Sequence, residues 1–220
     1  MSIIKAIIFD MDGTLVDSLQ GIAVAMNRVL RRRGYSRHPR AVYREFVGSG
    51  IEMLVRRALA QYPVDADELA AITAELRDEY SRTWRKSGNL YDGLAAVLDQ
   101  LTAANIRMAI LSNKPQHFTE EFRTHFLARW VFNPVRGAQP DQPRKPDPYS
   151  ARDIADQLRL APDQILFVGD SGIDMETAVG AGMVAVGVSW GFRSRKELLE
   201  SGADYIIDRP GELLAIIATK

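Results

Sequence analysis

The chain contains no cysteine, which removes disulfides, thiolate metal sites and thiol nucleophiles from consideration. An excess of charge of either sign is also lacking: 28 lysines and arginines stand against 28 aspartates and glutamates. No global field then draws the chain to nucleic acid or to a membrane surface, and neither is expected as a partner. Long apolar runs are missing too. The longest uncharged stretch, Thr177 to Phe192, is glycine-rich and too short to span a bilayer. The apolar start of the chain is short and runs straight into Asp10 and Asp12, unlike a signal peptide. A cytoplasmic protein, monomer or homodimer, is the expectation. Histidine is sparse: His38, His117 and His125 are scattered without metal-ligand spacing.

What is present divides into two kinds of territory. Short β-branched runs at Ile3 to Phe9, Ile106 to Leu111, Ile165 to Val168, Val184 to Val188 and Tyr205 to Ile207 predict buried strands. Helical patterns separate the later ones, so the strands should form a parallel sheet covered on both faces, an α/β fold with a Rossmann-like core. Between the first two strands the pattern is helical only. Leu19, Ile22, Met26, Val29 and Leu30 make one stripe, and Ile51, Leu54, Val55, Ala58 and Leu59 another. A third helix starts at Asp65 with Glu68 three residues on, a capping pair. The triplet Arg31-Arg32-Arg33 before Gly34 reads as cations closing the first of these helices. The expected organisation is a core of residues 1–16 and 87–220 with an inserted all-helical cap of residues 17–86. Hinges are expected near Leu15 to Leu19 and Arg85 to Leu90.

Polar residues gather where the predicted strands end. The first strand runs into Asp10-Met11-Asp12-Gly13-Thr14, the second into Ser112-Asn113-Lys114-Pro115, and that over Ile165 to Val168 into Gly169-Asp170, with Asp174 four residues later. Lys145 sits in a proline-rich loop. Singly, each has a plain structural reading: Asp-Gly as a turn, Ser112 or Asn113 as a helix cap, Lys145 as a solvated cation, Asp174 as a helix start. Together they fall at one sheet edge, where open parallel sheets bind ligands. Phosphoryl transfer calls for this set. Negative phosphate oxygens must be neutralised, and magnesium favours hard carboxylate and carbonyl oxygens. Asp10 suits a nucleophile and Asp12 a proton carrier. Ser112 and Lys145 suit stabilisation of the transferring group, with Asp174 orienting Lys145 or metal-bound water.

In these motifs the sequence resembles the haloacid dehalogenase (HAD)-like hydrolase superfamily, and the likeness covers nearly the whole chain. Asp10-Met11-Asp12-Gly13-Thr14, Ser112, Lys145 and Gly169-Asp170 with Asp174 match its four motifs in order. The resemblance implies Asp10 as nucleophile, Asp12 as acid and base, and Mg2+ held by Asp10, Asp170 and the Asp12 carbonyl. Gly13, Thr14, Ser112, Asn113 and Lys145 are then candidates for binding phosphate. Phe46-Val47-Gly48-Ser49-Gly50-Ile51 resembles the cap of phosphoglycolate-phosphatase-like members, which makes Gly48, Ser49 and Gly50 candidates for closing over the substrate. As a turn between two helices they have a structural reading of equal weight. The expected substrate is a small phosphorylated metabolite, with 2-phosphoglycolate leading. A sugar phosphomutase of the same fold stands as the alternative, as does a phosphatase for a sugar phosphate, nucleotide or pyrophosphate.

Overall fold

The computed structural model describes residues 3–219; Met1, Ser2 and Lys220, at the ends of the expected core, lie outside the described residues. Along the chain the elements are β1 (Ala6–Phe9), β2 (Val16–Asp17), α1 (Leu19–Arg32), α2 (Tyr43–Phe46), α3 (Ile51–Ala58), α4 (Ala66–Thr83) and β3 (Asn89–Leu90). There follow α5 (Leu94–Ala103), β4 (Arg107–Pro115), α6 (Gln116–Phe126), β5 (Val135–Ala138) and α7 (Tyr149–Leu158). The chain closes with β6 (Ile165–Gly169), α8 (Gly172–Ala181), β7 (Val184–Val188), α9 (Arg195–Glu200), β8 (Tyr205–Ile207) and α10 (Glu212–Thr219). Two compact units result: Met1–Val16 with Leu90–Lys220, and the inserted Asp17–Asn89.

The first unit carries a six-stranded sheet in the order β5-β4-β1-β6-β7-β8, parallel throughout. The chain builds outward from β1 on one side and then returns to build outward on the other. Its reversal therefore falls between β1 and β6, the crevice in which α/β sheets bind ligands. Ala6, Ile7, Ile8 and Phe9 are all buried, so β1 has apolar neighbours on both faces, as a central parallel strand must. On one face Ala6 and Ile8 pack with Ile154, Phe167, Met175 and Leu198, drawn from α7, β6, α8 and α9. Phe9 is level with Ile110 of β4 and Val168 of β6. The residues that follow these three positions consequently emerge side by side.

Three differences from the expected strands have physical causes. Pairing of β1 begins at Ala6 rather than Ile3, because Ala6 is level with Ile165, where β6 itself starts; Ile3 is exposed. Strand β4 runs on to Pro115 and takes in Ser112, Asn113 and Lys114. Those residues therefore do not cap the next helix, which begins at Gln116. Strand β5 was not expected at all. Its sequence, Val135-Arg136-Gly137-Ala138, has one β-branched residue, and an edge strand gains its order from pairing with β4 rather than from its own propensity.

The inserted unit is helical. In α1 the stripe Leu19, Ile22, Met26, Val29 and Leu30 is buried. The α4 start is capped as its sequence suggests, Asp65 accepting the Glu68 N–H at 2.8 Å. The arginines closing α1 do more than complement its dipole: Arg32 pairs with Glu79 and Arg33 with Glu75, both on α4. Glu79 also receives Arg28.

Candidate active site

Asp10 leaves β1 with its N–H bonded to the Val168 carbonyl at 2.9 Å, so the pairing with β6 carries through to the first acid. Chain reversal follows at once, with the Leu15 and Val16 N–H groups both donating to the Met11 carbonyl. Gly13 occupies this turn at φ +88°, a left-handed conformation that disfavours a side chain, and a Cβ there would run into Asp170. Gly169, the last residue of β6, is likewise required, because a Cβ would collide with the Asp174 carboxyl. These two glycines let the acids of neighbouring strand ends close on one another.

Lys145 is the hub. Its buried ammonium donates to Asp10 Oδ1 at 2.8 Å and to Asp174 Oδ1 at 2.6 Å. The Asn113 side chain holds the lysine backbone in two directions, its Nδ2 donating to the Lys145 carbonyl and its Oδ1 accepting the Lys145 N–H, both at 3.0 Å. Asn113 was expected as a phosphate contact; in the structure its amide also places Lys145. Asp174 serves twice. Its Oδ2 accepts from the Ser171 N–H and hydroxyl at the start of α8, and its Oδ1 faces Lys145. Asp174 thus stands in the first turn of α8 and faces Lys145 at the same time.

Asp170 is fixed from the other side. Its Oδ2 accepts the Phe192 N–H at 2.6 Å, while Trp190 of the same loop donates from Nε1 to the Thr14 carbonyl at 3.1 Å. The loop after β7 thus ties together the turns after β1 and β6. Asp12 Oδ2 lies 2.9 Å from the Lys114 ammonium. Lys114 stands in the polar cluster Ser112-Asn113-Lys114-Pro115 at the second strand's end but was not expected in the site, and only its spacing one residue past Asn113 hinted at it. Ser112 is buried on β4, its Oγ accepting the Lys114 N–H at 3.3 Å. Thr14 Oγ1 is buried and has no hydrogen-bond partner among the described residues. The structure therefore brings Asp10, Asp12, Gly13, Thr14, Ser112, Asn113, Lys145, Asp170 and Asp174 to one sheet edge. Gly48, Ser49 and Gly50 lie in the other unit, between α2 and α3. There Arg57 of α3 bonds the carbonyls of Glu45 and Phe46 and the Ser49 hydroxyl.

The electrostatics of the cluster call for a cation. Asp10, Asp170 and Asp174 are buried with carboxylate oxygens within 4.8 Å of one another, and the Lys145 ammonium is bonded to two of them, Asp10 and Asp174. Burial pushes the Asp10 carboxyl up to about 7 even though Lys145 pulls it down. Burial, and repulsion from Asp174 and Asp10, raise Asp170 well above the usual carboxylate range. Burial by itself would depress Lys145, but attraction to Asp10 and Asp174 outweighs it and raises the ammonium above its ordinary value. Both Asp174 oxygens are engaged, whereas Asp10 Oδ2 and Asp170 Oδ1 accept no hydrogen bond among the described residues. The donor set is hard oxygen throughout, which fits magnesium.

A Rossmann-like parallel sheet with this acidic edge defines the class, a phosphoric monoester hydrolase. A family model described as haloacid dehalogenase-like hydrolase matches residues 7–188. A phosphoglycolate phosphatase of Vibrio cholerae is 34% identical, over 99% of this chain and 98% of its own length. One from Rhodospirillum rubrum is 36% identical, over 93% and 87%. The solved structure of a predicted phosphoglycolate phosphatase from Haemophilus somnus superposes with a TM-score of 0.91 at 29% identity, covering 98% of this chain and 99% of that one. The chain belongs to the haloacid dehalogenase-like hydrolase family, as a phosphoglycolate-phosphatase-like member. No helix among the described residues is long and apolar enough to cross a membrane.

Proposed function

We propose that the protein is a magnesium-dependent phosphatase that carries the phosphoryl group of a small cytoplasmic phosphomonoester on Asp10, with 2-phosphoglycolate as the leading substrate. The observation that carries the reading is the convergence of Asp10, Lys145, Asp174 and Asp170 at the sheet's reversal point. Asp10 and Asp170, with the Asp12 carbonyl, would hold Mg2+. When bound, the cation neutralises phosphate oxygens and so admits an anionic nucleophile.

The chain's own residues do the rest. The Asp10 carboxylate attacks phosphorus in line, forming an acyl phosphate as the bond to the leaving oxygen breaks. Asp12 gives that oxygen a proton, then takes one from the water that cleaves the acyl phosphate and frees Asp10. Lys145, held by Asn113 and Asp174, offsets charge on the transferring group, assisted by the Ser112 hydroxyl and the backbone amides of Asp12 and Thr14; the Gly13 N–H is taken by the Val16 carbonyl. Asp174 positions Lys145. If the helical unit serves as a cap, Gly48, Ser49 and Gly50 are its candidates for contact with the substrate's leaving group. Substrate preference for 2-phosphoglycolate is supported by the named relatives, each similar over most of its length.

The test is direct. Purified protein should hydrolyse p-nitrophenyl phosphate with Mg2+ and not after chelation. In a panel with sugar phosphates, a nucleotide and pyrophosphate, 2-phosphoglycolate should show the highest kcat/KM. Asp10→Asn should lower turnover by at least about 10³-fold while the circular dichroism spectrum is unchanged. Substantial turnover by that variant would remove Asp10 from the mechanism.

A further inference from the structure

Lys114 has no part in the chemistry above, yet its ammonium is one of the most enclosed charges of the core unit. Its side chain is 5% exposed and lies 2.9 Å from Asp12 Oδ2, on a side chain 12% exposed. A lysine is held at such depth only where a partner offsets its lost hydration. The ammonium also stands 4.3 Å from the centroid of the Phe122 ring, whose face attracts cations. Phe122 is itself fully buried on α6. The Lys114 backbone is restrained on both sides, its N–H donating to Ser112 Oγ and its carbonyl accepting from Thr119 Oγ1 at 3.1 Å. Lys114 is therefore a fixed post with one Asp12 oxygen against it. The other oxygen, Oδ1, is buried and has no hydrogen-bond partner among the described residues. A buried polar atom left so is costly, and its retention points to a group that arrives with the substrate.

We infer that Lys114 is a positioning residue: by engaging Oδ2 it sets the Asp12 carboxyl in one orientation and leaves Oδ1 as the oxygen that passes the proton. The inference rests on the reading of Asp12 as acid and base. Oδ1 gives its proton to the ester oxygen as the phosphorus–oxygen bond breaks. The same oxygen then takes a proton from the water that attacks the Asp10 acyl phosphate. Both transfers need one oxygen within hydrogen-bond reach of a group in line with Asp10. A carboxyl free to turn presents either oxygen, and misplacing a reacting group by ~1 Å costs on the order of 10²-fold. The rival role for Lys114 is direct contact with substrate phosphate as a second cation beside Lys145.

A double-mutant cycle separates these roles. Steady-state kinetics with Mg2+ would compare the parent, Asp12→Asn, Lys114→Met and the double variant on an alkyl phosphate with a poor leaving group. Lys114→Met should lower kcat by roughly 10²-fold with little change in KM, and Lys114→Arg should recover most of the loss. In the Asp12→Asn background, Lys114→Met should change kcat by no more than about twofold, because its effect runs through Asp12. Losses that multiply in the double variant would overturn the inference, as would a Lys114→Met effect confined to KM. If Lys114→Met does not fold, the double variant removes both charges together and leaves neither unpaired; its comparison with Asp12→Asn then decides. Full turnover by Asp12→Asn would sink the underlying reading of Asp12, whereas an inactive Asp12→Asn beside a fully active Lys114→Met removes Lys114 alone.

Discussion

Asp10, Asp170 and Asp174 crowd around one ammonium, and three negative charges against one positive leave two uncompensated when all are ionised. At the residue scale this imbalance is the reason a divalent cation suits the site. Asp170→Asn keeps the side chain's shape and its acceptor for the Phe192 N–H while removing one of the charges. The parent should gain about 5–10 °C in melting temperature when Mg2+ is ~100-fold above its Kd, since binding to the native state alone is worth ~2.7 kcal/mol. Asp170→Asn should lose that gain and remain folded. Thermal melts with Mg2+ and with chelator check this, and an undiminished shift would remove Asp170 from the cation site. The four motif acids and Lys145 were legible in the sequence because each stands at the end of an apolar run or in a recognisable motif. Lys114 and the positioning role of Asn113 were not. Their partners, Asp12 and the Lys145 backbone, are remote in sequence, and no local pattern records such a contact.

Helices α1 and α4 are joined by a carboxylate between two cations, Glu79 receiving Arg28 at 2.9 Å and Arg32 at 2.7 Å. Hydrogen bonds from Arg28 and then Arg32 hold the Glu79 carboxyl below its ordinary 4.5. The carboxylate is enclosed but both arginines are about half exposed, so solvent screens the pair. Glu79→Gln should cost about 1–2 kcal/mol at neutral pH. Because the folded-state value is depressed, the contribution is complete above pH 4.5 and is lost as pH falls through the folded value. Denaturant titrations should therefore show the parent and Glu79→Gln separated at pH 7 and converging as the pH is taken down below 4.5. A gap that persists in acid would mean that Glu79 acts by packing rather than charge. Among elements, the helical stripes and the Asp65 cap were readable because they are periodic or local. Strand β5 was not, since the pairing that orders Val135–Ala138 comes from β4.

At the scale of the whole molecule, the sheet unit holds every motif acid and the helical unit carries the glycine loop. Gly48 and Gly50 have φ of 119° and 91°, conformations that a side chain resists. If the helical unit acts as the cap, Gly50→Ala should strain this loop by about 1–3 kcal/mol. The variant should then lower kcat/KM for 2-phosphoglycolate by more than for p-nitrophenyl phosphate, whose departure needs less help. Equal losses on both substrates would count against a substrate-selecting loop. The sequence alone determined the fold class, the helical insertion and the chemical identity of the acids, because periodicity and contiguous motifs are properties of neighbouring residues. Tertiary structure alone decided the strand order 5-4-1-6-7-8, which acid oxygens remain uncommitted, and the pairing of Asp12 with Lys114. Those depend on how distant strands align in register and on which side chains then compete for the same ammonium, and neither is written in any one segment of the chain.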